Sequence, residues 1–106
     1  MTDQELLERA AKAAGYTSNG YGELCGGDPC LLLKEADFTG MWAPLSDDGD
    51  ALRLAVKLKI PLQFPDWANA VRTWGPKAGD PFDEEGNDDL AAATRRAIVM
   101  AAASLA

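Results

Sequence analysis

The chain's 106 residues, 47% hydrophobic and 25% charged, fit one folded globular domain spanning 1–106 and not a disordered segment. A net charge of −7 argues against nonspecific binding to nucleic acid or an anionic membrane and permits a basic protein partner. Histidine is absent, which removes the commonest general base and the commonest transition-metal ligand together.

The opening stretch MTDQELLERAAK is acidic and helical in pattern, where a secretory signal is basic and then apolar. No run approaches the ~18 apolar residues of a membrane span, so a cytoplasmic protein is expected. Thr2-x-x-Glu5 is a capping box, predicting a helix over Asp3–Ala14. Leu6, Ala10 and Ala13 form its apolar stripe with Leu7 beside it, and Gly15 closes it in a left-handed conformation.

Residues 16–42 read as two strands with loops. Tyr16, Thr17 and Tyr21 favour extended structure, and Gly26-Gly27-Asp28-Pro29 is turn chemistry. Cys30 to Leu33 is a continuous apolar run predicting a strand buried on both faces, and Phe38, Thr39, Met41 and Trp42 suggest another extended piece. Cys25 and Cys30 are the only thiols, too few for the usual structural zinc site and not spaced as C-x-x-C. They are expected to be reduced thiols flanking the turn, with a disulfide as the alternative in an oxidising setting.

A second helix is predicted over Asp48–Lys59, with Ala51, Leu54, Ala55 and Leu58 on one face and Leu52 and Val56 widening it. So broad an arc predicts packing against a sheet. Pro61 ends that helix, and Leu62–Phe64 and Ala70–Trp74 read as a hairpin around Pro65-Asp66. The acidic, Gly- and Pro-rich stretch 75–89 reads as a loop. The last helix is predicted over Asp88–Ala103, capped by Asn87 or Asp88, with Leu90, Ala97, Ile98, Ala101 and Leu105 on its inner face. No internal repeat is found. The pattern predicts an α+β domain of three helices around a small, mostly antiparallel sheet of about four short strands.

Four groups are candidates for function. Asp47, Asp48 and Asp50 crowd around Gly49, but setting Gly49 sixth in a calcium loop puts Pro44 first and Ala55 twelfth, and neither can serve. These aspartates are assigned as a helix cap opposing the dipole. Asp80, Asp83, Glu84, Glu85, Asp88 and Asp89 fail the same test around Gly86; they read as a solvated acidic loop or, more sharply, as a docking surface for a basic partner. Arg95 and Arg96 flank Val99 on what periodicity makes the outer face of the last helix, smoothed by Ala92, Ala102 and Ala103. That face is either solvated or a homodimer seam. Of Trp42, Trp67, Trp74, Tyr16 and Tyr21, most are expected in the core, with one left beside the hairpin as a partner anchor. No histidine triad, phosphate loop or G-x-S-x-G elbow is present, so no enzyme activity, cofactor or metal is expected.

The helix ending AAKAAGY, the block WAPLSDDGDALRLAVKL from Trp42 to Leu58, and ATRRAIVMAA from Ala93 to Ala102 resemble the phage ABA sandwich family. The resemblance implies an α-β-α sandwich and a viral or prophage origin, and transfers no catalytic residue. With it, the expected function is that of a non-enzymatic phage accessory protein, located in the bacterial host cytoplasm, that binds a host or viral protein. Inhibition of a bacterial defence system and self-association in virion assembly are the alternatives.

Overall fold

The first helix starts where its cap places it. In the computed structural model, which describes residues 2–23, 27–34, 40–74 and 82–105, α1 spans Asp3–Ala13 and the Thr2 hydroxyl accepts from the Glu5 amide at 3.1 Å. Leu6, Leu7, Ala10 and Ala11 are buried, Ala11 taking the place expected of the half-buried Ala13. Gly15 adopts φ 79°, and the Tyr16 amide donates back to the Ala11 carbonyl at 2.9 Å, closing the helix as predicted. The second helix, α2 (Asp48–Leu58), closes the same way around Lys59 at φ 55°, with the Ile60 amide donating to Ala55 at 2.9 Å.

Each helix leads into an antiparallel meander. The first comprises β1 (Ser18–Glu23), β2 (Pro29–Leu33) and β3 (Met41–Trp42), three strands where two were expected. Leu31 pairs opposite Tyr21 on one side and Trp42 on the other, while Leu32 pairs with Met41. Because side chains alternate, Leu31, Leu33 and Trp42 enter the core and Leu32 and Met41 face solvent. The apolar run is therefore buried on both faces only in part, Cys30 being buried and Leu32 exposed on the same side. Phe38 and Thr39 lie outside the described residues.

The second meander comprises β4 (Leu62–Gln63), β5 (Ala70–Thr73) and β6 (Phe82–Glu85). The predicted hairpin is present, with Leu62 opposite Thr73 and Gln63 opposite Arg72. The stretch expected to be a loop contributes β6, which pairs with β5 along its whole length, Ala70 opposite Glu85 through Thr73 opposite Phe82. Buried Thr73 donates its hydroxyl proton to the Pro61 carbonyl at 2.5 Å, tying β5 to the exit of α2.

The final helix, α3 (Leu90–Ala103), joins the two halves. Its cap is Asp89, one residue beyond the predicted pair, whose carboxylate accepts from the Ala92 amide at 2.9 Å. The helix packs against α1, α2, β5 and β6, so Ala93, Ala97, Ile98, Val99, Ala101, Ala102 and Ala103 are all buried. An alanine-rich helix apolar on most sides belongs in the middle of a domain. In turn, α1 covers the inner face of the first meander. The class is α+β. The layering, however, differs from the expected sandwich: α1 packs on one three-stranded sheet and α3 on another, instead of the helices covering one four-stranded sheet. The α2 helix packs chiefly on α3, which leaves Leu52 60% and Val56 68% exposed and corrects the broad buried arc.

Candidate functional site

The three aspartates of the α2 entrance take separate structural roles, although Asp47 and Asp50 both lie within ion-pair reach of Arg53. Asp47 accepts the Asp50 amide at 2.8 Å as the helix cap. Asp50 accepts the Ala43 amide at 2.9 Å and the Arg53 guanidinium at 2.6 Å. Asp48 takes Arg95 of α3 at 2.6 Å, while the same guanidinium donates to the Leu45 carbonyl at 3.0 Å. The group caps one helix and latches it to another. Among the described residues, no three carboxylate or thiol groups are placed together to hold a metal ion.

The six acids expected to form one docking surface are divided. Asp80 lies outside the described residues. Asp83 and Glu85 project from the outer face of β6, and Glu84, one residue between them, turns to the other face near Arg9 and Arg96. Asp88 is exposed, and Asp89 is committed to the α3 cap. The Arg95–Arg96–Val99 face is corrected outright: Val99 is fully buried, Arg95 is latched to Asp48, and Arg96 reaches Asp3 at 3.3 Å. Periodicity misplaced it because both sides of this helix are lined with alanine.

The aromatic set is less buried than expected: of the five only Trp42 is in the core, Tyr16 and Trp74 are half-buried, and Tyr21 and Trp67 are exposed. Trp42 is buried, with Tyr16 edge-on to it at 5.6 Å, and the Lys57 ammonium sits 5.1 Å from the Tyr16 ring centre. Trp67, in the connection between β4 and β5, is 85% exposed. A solvated indole of that size is unusual on a small acidic domain.

Trp67 stands on the rim of a groove of about 600 Å³ on the outer face of the second sheet. Arg72, Asp83 and Glu85 line it, with Asn69 and Asn87 at one end. Arg72 donates to both carboxylate oxygens of Asp83, at 2.7 and 3.0 Å. This fork holds the Asp83 carboxyl below its ordinary range and raises the Arg72 guanidinium. Among the described residues no cation pairs with Glu85.

The asparagine end of the groove is fixed by a backbone clamp. The Gly86 amide donates to the Asn69 carbonyl at 2.7 Å, and the Asn69 side-chain amide donates to the Asn87 carbonyl at 2.8 Å. A Cβ on Gly86 would stand 2.6 Å from the Asn69 side-chain oxygen, so a larger residue there would have to displace the Asn69 side chain. Asn87 follows at φ 47°, a left-handed conformation that asparagine tolerates. Asn69 and Arg72 were not singled out from the sequence, while Asn87 was expected only as a helix cap and Gly86 was weighed only as a calcium-loop glycine; the Gly-Asn pair after an acidic run was the available turn signal.

Two further features complete the surface and interior. An apolar groove of about 420 Å³ between α2, β4 and α3 exposes Leu52 and Phe64. Cys30 is buried against Gly22, and burial pushes its thiol up, opposed by a backbone hydrogen bond from Gly22. Cys25 lies outside the described residues, so the pairing of the two thiols does too. Among the described residues no helix is long and apolar enough to cross a membrane. No protein-family model, curated protein or solved structure matches this chain.

Proposed function

We propose that the protein is a non-enzymatic binding module that docks on a basic protein through the outer face of its second sheet. The observation that carries this reading is Trp67, 85% exposed on the rim of a groove that also holds Asp83 and Glu85. Exposed tryptophan next to carboxylates suits a partner surface with apolar and cationic groups, and a net charge of −7 speeds encounter with such a surface. The family resemblance adds a viral or prophage setting, with a host or phage protein as the partner in the bacterial cytoplasm. Inhibition of a defence system is one form this binding takes. Self-assembly through Arg95, Arg96 and Val99 has lost its surface, since Val99 is interior.

Affinity capture from infected or lysogenic host extract tests the reading. A partner held by the wild-type chain should be released as salt rises from about 0.05 to 0.5 M and should be lost with Trp67→Ala. A partner held equally well by Trp67→Ala and by Asp83→Asn with Glu85→Gln would overturn it.

A further inference from the structure

We infer that the groove beside Trp67 receives an arginine side chain of the partner, with the indole as its stacking face and Glu85 as its counter-ion. This rests on the docking reading above and names the chemistry it recognises. The charge on the groove wall decides the sign of the ligand. Asp83 is neutralised by the two-pronged contact with Arg72, which leaves Glu85 as the unbalanced charge of the lining. A second copy of the chain is a poor occupant, because both molecules would carry −7.

The shape of the site selects arginine over lysine. A guanidinium is planar and weakly hydrated, so its face stacks on an indole while its edge donates two parallel N–H bonds to a carboxylate. An ammonium keeps its water and has no face to stack. The end of the groove is set before binding, because Gly86 and Asn69 are locked by the 2.7 Å backbone bond and Asn69 holds Asn87. The groups left to be ordered on binding are the exposed side chains of Trp67 and Glu85. At about 600 Å³ the groove has room for the backbone on either side of the inserted side chain.

The test uses the full chain labelled with ¹⁵N and follows the indole N–H resonance of Trp67, assigned by its loss in Trp67→Phe. N-acetyl-arginine amide should move this resonance in a saturable way. N-acetyl-lysine amide should bind about fivefold more weakly, and N-acetyl-citrulline amide, the neutral shape mimic, should leave it in place. Glu85→Gln should weaken arginine binding at least about fivefold with the remaining amide resonances unmoved. Equal binding of arginine and citrulline, equal binding of arginine and lysine, or no shift with any of the three overturns the assignment. The two readings fail separately. Trp67-dependent capture without arginine recognition keeps the docking surface and removes the arginine pocket. Arginine recognition without a captured partner does the reverse.

Discussion

The two meanders share a strand order and differ in what stands behind them. The first lays Leu31, Leu33 and Trp42 into the main core, where α1 and α3 meet them with leucine and alanine. The second rests on a small cluster of Val71, Ala93 and Ala97, edged by the half-buried Leu62 and Leu90. Its outer face carries the groove, the Arg72–Asp83 pair and Trp67. One sheet is devoted to burial, and the other trades burial for a polar, accessible face. Regions with few buried apolar contacts open at lower free energy than the core. The proposed docking surface therefore sits on the half of the domain that is expected to be easier to deform.

Core truncations should separate the two sheets most strongly. Leu31→Ala should destabilise the whole domain by about 3–5 kcal/mol, read as a fall in the urea midpoint. Val71→Ala removes less volume and should cost about 2 kcal/mol. It should also release the amides of β4–β6 to hydrogen exchange while those of β2 stay protected; equal loss in both sheets would erase the distinction.

Thr73→Val, which keeps the shape and deletes the bond to Pro61, should cost about 1 kcal/mol and act on the second sheet alone. In the other direction, Lys59→Gly relieves a left-handed backbone at the end of α2 and should stabilise by about 0.5–1 kcal/mol, raising the melting temperature without touching either sheet.

Acid and alkali should stress opposite sheets. The Cys30 thiol in the first sheet is raised in the folded state, so its contribution is complete below the ordinary thiol pKa of about 8.5 and is lost as pH rises through the folded value. Cys30→Ala should flatten that alkaline decline. Asp83 in the second sheet is lowered, so its contribution is complete above the ordinary carboxyl pKa of about 3.9 and is lost as pH falls through the folded value. Asp83→Asn should flatten the acid decline by a small amount, since the pair is exposed.

Local chemistry was legible in the sequence and tertiary neighbours were not. Thr2, Gly15 and Asp47 act within a turn of their own helix, so their roles follow from spacing alone. The strand β6 was hidden because acids are depleted in strands, and the reason Asp83 is tolerated there is Arg72, eleven residues away on the facing strand. Leu52 and Val56 share the apolar character of the α2 face, but α2 meets its main neighbour along one narrow side and leaves them out. Val99 was misplaced for the opposite reason: in an alanine helix neither face looks polar, so periodicity cannot say that both are covered. The groove itself depends on the Asn69–Gly86 contact, a pairing across the sheet that no linear pattern announces.

Among the described residues every strand pairs only with a strand adjacent to it in the chain, β1 with β2 with β3 and β4 with β5 with β6. Closing such short loops loses little entropy, and topologies of this kind fold fast for their β content. The slow element is then expected to be the arrival of α3, because among the described elements it alone touches α1, α2 and the second sheet together. Its alanines lose no rotamer freedom on docking, so the search is for one position of one stiff rod between two meanders already formed by their own neighbours. Docking of this plainest segment is the step expected to set the rate at which the protein becomes native.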